Sequence, residues 1–211
     1  MEIQRTANAG VLLKLDGVSI LLDGLCDGID IYLPTPSAVA DSLLTNLPDV
    51  LAFTHNHPDH YSEALLLPYR KQNLRPIFGP EYLPVEGVRV GEVTVMPVPS
   101  RHIGRVEPGL SHQSFVIQGS RCVWFMGDAA PLQFKNRTDL PKPDVLIAPY
   151  AYANTKAAWD LSCNLADKIV LLHLPDRDND PYSLRQTVET VTAGSQKELW
   201  IPEIGQEFTI Q

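Results

Sequence analysis

The sequence has little of what marks several classes of protein. It holds 17 lysines and arginines against 25 aspartates and glutamates, which gives a formal net charge of −8 and no basic run. Because phosphate neutralisation requires clustered cations, this balance disfavours a general nucleic-acid binder. No stretch approaches the roughly 18 uninterrupted apolar residues of a transmembrane helix. We therefore expect a small-molecule substrate as the partner, with no nucleic acid and no membrane.

Cysteine is also scarce. Cys26, Cys122 and Cys163 are far apart in the sequence and form no Cys-x-x-Cys pair. An odd and scattered set disfavours a disulfide framework and favours a reducing compartment. The first ten residues contain Glu2 and Arg5 and have no apolar core, unlike a secretory signal. These features predict a cytoplasmic location.

Proline, by contrast, is abundant. There are 18 prolines beside 13 glycines in 211 residues. Because proline lacks an amide hydrogen and clashes inside a helix, this content disfavours an all-helical bundle and favours short elements joined by stiff turns. The composition is otherwise that of a globular protein with a sizeable core. We see no internal repeat and no low-complexity linker, so residues 1–211 are predicted to form one domain.

Apolar patterns predict strands first and then strands alternating with helices. Val11–Leu15 and Val18–Leu22 flank Asp16-Gly17, a dipeptide typical of a tight hairpin turn. Spacing of apolar residues predicts helices over 38–47 (with Ser37 as N-cap), 62–72, 155–165 and 184–192. Short apolar runs predict further strands over 49–53, 88–90, 92–98, 113–118, 121–126, 145–148, 168–172, 199–200 and 207–210. This order indicates two sheets face to face with helices outside.

Three of the six histidines fall within six positions, directly after the predicted strand 49–53. They form the run His55, His57, Asp59 and His60 in the segment Thr-His-Asn-His-Pro-Asp-His. Loops that follow strands often display functional side chains, and His55 and His57 share one face of an extended segment. Imidazole and carboxylate groups at this density can serve one metal ion or two neighbouring ions. A polar loop with hydrogen-bonded histidines is the weaker alternative.

The segment 55–60 resembles the His-x-His-x-Asp-His signature of the metallo-β-lactamase superfamily. The resemblance implies an α+β fold, a four-layer αββα sandwich of two mixed sheets with helices outside. It also implies three later ligands at strand ends, and His102, Asp128 and His173 match these positions. His112 competes with His102 but begins a predicted strand instead of ending one.

The resemblance also implies roles for these residues. His55, His57 and His102 would hold one divalent ion, Asp59, His60 and His173 the second, and Asp128 would bridge them. Zn²⁺ is favoured, and Mn²⁺ or Fe²⁺ accept the same ligands. The implied reaction is cleavage of a small ester, lactone or phosphoester by a metal-bound hydroxide, with Asp59 as the catalytic residue that orients the nucleophile or shuttles a proton. Residues 20–24, 95–100 and 144–149 loosely resemble the small hydrolase branch that includes L-ascorbate-6-phosphate lactonase.

Two other functions stay open at this point. One is an iron-dependent oxidoreductase on the same fold, although the diiron oxidoreductases of the family place Glu where this chain has His57. The other is a non-enzymatic metal-binding protein. Arg101, His112 and Tyr150 lie beside ligand-bearing strand ends and are predicted substrate contacts. Asp23 is predicted either to orient a ligand imidazole or to cap a turn.

Overall fold

Two β-sheets form the centre of the computed structural model, which describes residues 1–72, 76–79, 87–104 and 108–211. The first sheet has the order β13-β1-β2-β3-β4-β5. Its strands are β1 (Glu2–Arg5), β2 (Val11–Leu15), β3 (Val18–Leu22), β4 (Val50–Ala52), β5 (Ile77–Phe78) and β13 (Glu207–Thr209). The second sheet has the order β12-β11-β10-β9-β8-β7-β6. Its strands are β6 (Val88–Val90), β7 (Val93–Pro99), β8 (Gln113–Gln118), β9 (Cys122–Phe125), β10 (Val145–Pro149), β11 (Lys168–Leu172) and β12 (Glu198–Trp200).

Both sheets are mixed. In the first, β13, β1, β2 and β3 pair antiparallel, whereas β3, β4 and β5 pair parallel. In the second, β6 to β9 pair antiparallel and β9 to β12 pair parallel. The predicted α+β class with two mixed sheets is therefore confirmed.

Within the described residues, four α-helices cover the outer faces of the sheets. They are α1 (Ser37–Thr45), α2 (Glu63–Gln72), α3 (Lys156–Leu165) and α4 (Leu184–Thr192). The inner faces of both sheets share one core, in which Ile20 packs with Phe115. On the outer faces, Leu51 packs with residues of α1 and α2, and Ile169 packs with residues of α3 and α4. This arrangement is the predicted αββα sandwich.

The shared core agrees with one domain over 1–211, which stays a prediction. Within the described ranges, no helix combines the length and the hydropathy that crossing a bilayer requires.

Local structure departs from the predicted pattern at a few points. Ser37 does not cap α1: Pro36 occupies the N-cap position, with φ −59° and ψ 138°, and Ser37 is the first helical residue. The backbone at Pro36 is extended, so helical dihedral angles begin only at the next residue. Ser62 does cap α2, where its Oγ accepts a hydrogen bond from the Leu65 amide at 3.2 Å. The strands β1 and β5 were not predicted.

Replacing Phe115 with alanine should destabilise the sandwich. Its side chain is fully buried between the sheets and meets the ring of Phe78 edge-on at 6.1 Å between centroids. Phe-to-Ala changes in packed cores cost about 3–5 kcal/mol. Urea unfolding of chelator-treated protein measures the loss without a contribution from metal binding. Leu67→Ala, at an exposed position of α2, should cost about 0.5 kcal/mol or less; equal losses in the two variants would contradict the proposed core.

Candidate metal centre

Polar side chains gather at one edge of the sandwich, where several strands end. β4 runs into the loop that holds His55, β7 leads to His102, β9 leads to Asp128, and β11 leads to His173. The two sheets meet here, since the Gln113 amide donates a hydrogen bond to the Thr54 carbonyl oxygen at 3.0 Å. The sheet topology therefore brings together residues that lie more than a hundred positions apart.

The candidate ligands form three overlapping groups, and within each group the ligand atoms lie within 4.8 Å of one another. These groups are His55, His57 and His102; Asp59, His60 and His173; and His55, His60 and Asp128. The first two groups are the two triads that the family resemblance implies. The third group places the Asp128 carboxylate beside members of both triads. All seven sequence-predicted ligand residues are thus brought to one place.

Asp128 lies between the triads. Its Oδ2 is 3.5 Å from His102 Nε2 and also 3.5 Å from His173 Nε2. Its Oδ1 is 3.5 Å from His60 Nε2. One carboxylate therefore faces histidines of both triads, which is the geometry that a bridging ligand requires.

The donor atoms fit bound cations. Among the described residues, Nε2 of His60 and His102 and Oδ1 of Asp128 are buried without a hydrogen-bond partner. Each buried, unpaired polar atom costs about 1–3 kcal/mol, so three facing one another need a common explanation. Cations coordinated at these atoms would supply it. Imidazole and carboxylate donors suit Zn²⁺, Mn²⁺ or Fe²⁺.

The far nitrogens of three histidines are held by the protein. His55 Nδ1 donates to Thr54 Oγ1 at 2.9 Å, and His60 Nδ1 donates to the Asp23 carboxylate at 2.8 Å. His102 Nδ1 donates to the carbonyl oxygen of Ile103 at 2.5 Å. Such bonds fix the tautomer of each ring and leave Nε2 to face the site.

Asp23 is linked by hydrogen bonds to one histidine of each triad, on the Nδ1 side of the rings. Its carboxylate is fully buried and accepts a bond from His60 directly, and it accepts a second bond from Thr54 Oγ1 at 2.6 Å. Because Thr54 Oγ1 in turn accepts from His55, one carboxylate orients a histidine of each triad. Of the two roles left open for Asp23, the orienting role is the one that the structure supports.

Backbone conformation at the ligand loops is specialised. His173 has φ 61°, a left-handed conformation that non-glycine residues rarely adopt. Gly127 has φ 53°, and a Cβ there would lie 2.5 Å from Thr54 Cγ2. Glycine is therefore required before Asp128, because a side chain would push apart the two sheets where they meet.

The protonation states of His55 and Asp128 suit metal binding, whereas at His60 burial acts to lower the pKa but Asp128 outweighs it and raises the pKa, so a bound cation would displace a proton there. Burial lowers the pKa of His55, so the ring is neutral near pH 7. Burial acts to raise the pKa of Asp128, but the nearby His173 and His60 overcome this effect and hold it well below its usual range. A neutral imidazole and an ionised carboxylate are the forms that coordinate metal ions.

The predicted substrate contacts differ in position. Arg101, directly before His102 in the sequence, is exposed, and its backbone amide and carbonyl bond to the side chain of Gln133 at 2.8 and 2.9 Å. Tyr150 is half-buried, with its ring centroid 6.2 Å from that of His173. Both remain predicted contacts.

His112 is buried, and its two ring nitrogens are 2.7 Å from Ser100 Oγ and 3.0 Å from the Asp128 amide nitrogen. Both ring nitrogens of His112 are thus hydrogen-bonded within the protein, and its role as a substrate contact stays a prediction.

Sequence patterns missed Tyr32. Its ring meets the His173 ring edge-on at 4.3 Å between centroids. Tyr32 lies in an irregular loop that is tied to the ligand segment, since the amides of Asp27 and Gly28 both donate to the Pro58 carbonyl at 2.8 Å. The loop has no periodic apolar pattern, and a single tyrosine in such a loop does not indicate a functional site.

Comparison with known proteins agrees with this geometry. A family model described as "Beta-lactamase superfamily domain" matches residues 2–171, and the chain belongs to the metallo-β-lactamase superfamily. No curated protein sequence matches the chain.

Many solved structures have a similar fold. A possible metal-dependent hydrolase from Veillonella parvula has a TM-score of 0.72 and 16% identity over 100% of this chain and 99% of its own. The isothiocyanate hydrolase from Delia radicum gut bacteria has a TM-score of 0.71 and 16% identity over the same shares. CmlA, a diiron β-hydroxylase from Streptomyces venezuelae, has a TM-score of 0.63 and 14% identity over 100% of this chain and 54% of its own. Because the sequence identities are this low, these comparisons show a shared fold and nothing about activity.

Replacing Asp23 with alanine should weaken metal binding at both triads. The change leaves the Nδ1 hydrogen of His60 unpaired and releases Thr54, which holds His55. Loss of such outer partners typically costs about 10–100-fold in metal affinity. Zn²⁺ titration against a chelating indicator measures it. Asp16→Ala, a turn residue bonded to Ser120 at the opposite end of β3, is the control and should bind Zn²⁺ like the wild type. Equal affinities in all three proteins would rule out this role for Asp23.

Proposed function

We propose that the protein is a metal-dependent hydrolase with two divalent ions, which cleaves a small ester, lactone or phosphoester. The observation that carries the proposal is the position of Asp128 between two triads of ligand atoms. One triad is His55, His57 and His102, and the other is Asp59, His60 and His173. Zn²⁺ is the proposed metal, because the ligands are mostly imidazole nitrogens.

The ions would supply the central chemistry. Two bound divalent ions would lower the pKa of a bound water to roughly 7 and would polarise the bond that is cleaved. The protein must hold the donor atoms in place, keep the ligands in the right protonation state and position the substrate. The hydrogen bonds that Asp23, Thr54 and Ile103 accept from the ligand histidines perform the first task.

Asp59 is the proposed catalytic carboxylate. It is buried at the site, with Oδ2 3.0 Å from His173 Nε2. Burial acts to raise the pKa of Asp59, but His173 and His60 together outweigh burial and lower it. The group is therefore an anion at neutral pH. An anion here can bind a cation and can also orient a nucleophile or accept its proton.

Tyr32 and Tyr150 form the proposed wall of the substrate site beside His173. Burial raises the pKa of Tyr32, so its hydroxyl keeps its proton and can donate a hydrogen bond. A phenol is suited to stabilising negative charge that develops on a substrate oxygen. Arg101, which is exposed and directly precedes His102 in the sequence, could hold a carboxylate or phosphate of the substrate in a bidentate contact.

The substrate class and the compartment are inferred from weaker evidence. Loose resemblance to the branch of L-ascorbate-6-phosphate lactonase favours a lactone or phosphoester. The fold is also shared with an isothiocyanate hydrolase, so an isothiocyanate belongs among the substrates to test. Cys26, Cys122 and Cys163 are all free, which supports the proposed reducing cytoplasm.

An iron-dependent oxidoreductase is the second candidate. The observation that favours it is the shared fold of CmlA, a diiron β-hydroxylase. The same His and Asp donors accept iron. His57 stands where the diiron oxidoreductases of the family have Glu, which favours hydrolysis. A protein that binds metals without catalysis is the third possibility and is an outcome of the test below.

Metal analysis and a substrate panel test the proposal. The purified protein, reconstituted with Zn²⁺, Mn²⁺ or Fe²⁺ in separate samples, should hold about two ions per chain and hydrolyse a carboxylic ester, a lactone, a phosphodiester or an isothiocyanate. Asp128→Ala should lower kcat/KM by at least about 100-fold, because it removes the group shared by both ions. Asp160→Ala, an exposed helix residue paired with Lys156, is the control and should be fully active.

Three results would contradict the proposal. Fewer than one ion per chain after reconstitution would contradict the metal centre. Oxygen consumption by the iron-loaded protein without hydrolysis would favour the oxidoreductase. Two ions without turnover on the panel would favour a metal-binding protein.

A further inference from the structure

A chain of hydrogen bonds runs from the backbone of Asp128 through His112 into the second sheet. The Asp128 amide bonds to His112 Nε2 at 3.0 Å, and His112 Nδ1 lies 2.7 Å from Ser100 Oγ. Ser100 Oγ is 3.0 Å from Ser114 Oγ, which bonds to the Met126 carbonyl at 2.9 Å. The chain therefore begins and ends on the segment that carries Asp128.

The direction of every bond in this chain is fixed by its two ends. A backbone amide can only donate, so His112 Nε2 is an acceptor and the ring proton is on Nδ1. Nδ1 must then donate to Ser100 Oγ. At the other end, a backbone carbonyl can only accept, so Ser114 donates to Met126. The hydroxyl of Ser100 must therefore donate to Ser114, and every donor hydrogen in the chain has an acceptor.

The chain also joins three strand ends. Ser100 follows β7, the strand that leads to His102, and its amide donates to the His112 carbonyl at 3.1 Å. His112 immediately precedes β8, and Ser114 lies within it. Met126 follows β9 and leads to Asp128. One ring thus ties a segment that carries a ligand of the first triad to the segment that carries the bridging carboxylate.

We propose that His112 is a positioning residue of the metal centre, which holds the Asp128 backbone through a neutral ring protonated on Nδ1. The inference rests on the proposed function, since it concerns the residue that would bridge the two ions. His112 is not proposed as a ligand, because both nitrogens are used within the protein. Its effect on the ions is transmitted through the position of Asp128.

A pair of variants isolates the hydrogen bond to Asp128. His112→Leu keeps an apolar volume in the buried site but has no acceptor for the Asp128 amide. His112→Gln offers an amide oxygen as acceptor and an NH₂ group as donor to Ser100. Zn²⁺ titration of each protein should show that the leucine variant binds both ions about 10–100-fold more weakly, as for lost outer partners in other metal sites. The glutamine variant should recover most of the affinity.

Two serine variants guard against a general effect on folding. Ser114→Ala breaks the chain at its far end and should weaken binding of both ions by several-fold. Ser162→Ala removes another buried hydroxyl, which bonds to the carbonyls of Tyr152 and Ala158, and should leave Zn²⁺ affinity unchanged. Circular dichroism and thermal unfolding of the metal-free variants show whether each is folded. If the leucine variant does not fold, the comparison of Ser114→Ala with Ser162→Ala decides.

The tautomer gives an independent test. Long-range ¹H–¹⁵N NMR of the Zn²⁺-loaded wild type should show His112 as a neutral ring with its proton on Nδ1. A proton on Nε2, or coordination of Zn²⁺ by His112, would overturn the inference. So would unchanged Zn²⁺ affinity in folded His112→Leu and Ser114→Ala. If the wild type itself does not bind two ions, the proposed function fails first, and the two failures are thereby distinguished.

Discussion

The carboxylate of Asp128 is the group on which the site depends. It is buried at the junction of the sheets and faces histidine nitrogens of both triads at 3.5 Å. Buried polar atoms without partners are costly, and a buried carboxylate among them costs more. Positive charge placed between these atoms removes that cost. Much of the surrounding structure holds Asp128 and the neighbouring histidines in the positions that binding of cations requires.

The fold supplies these means at several levels. Parallel strands of both sheets end at the same edge, so that the ligand loops meet there. Gly127 allows the backbone before Asp128 to approach Thr54 closely. Asp23 holds one histidine of each triad from behind, and His112 holds the backbone of Asp128. Asp23 restrains the orientation of the histidine rings, whereas His112 restrains the backbone of Asp128. The two residues therefore fix different parts of the same centre.

Much of this could be predicted from the sequence, because the signals are local. The hairpin of Val11–Leu15 and Val18–Leu22 follows from alternating residues around Asp16-Gly17, and β8, β11 and α4 have the predicted bounds. The ligand residues could be found because each stands at the end of an apolar strand. Their common location could not be derived from spacing alone, and it came from the family resemblance.

The features that were missed depend on contacts between distant parts of the chain. β1 contains one core residue, Ile3, and it is a strand because it pairs on one side with β2 and on the other with β13, from the far end of the sequence. Tyr32 reaches the site because its loop is bonded to Pro58. His112 has the same residue type as the ligands, and only its hydrogen bonds separate it from them. Sequence patterns do not record partners of this kind.

The most direct test of the account is a crystal structure of the Zn²⁺-loaded protein with anomalous scattering data collected at the zinc edge. The account predicts two anomalous peaks, one about 2.0–2.1 Å from nitrogens of His55, His57 and His102 and one at similar distances from His60 and His173. Asp128 should contact both ions, and His112 should contact neither. A single peak, or two peaks that Asp128 does not connect, would contradict it.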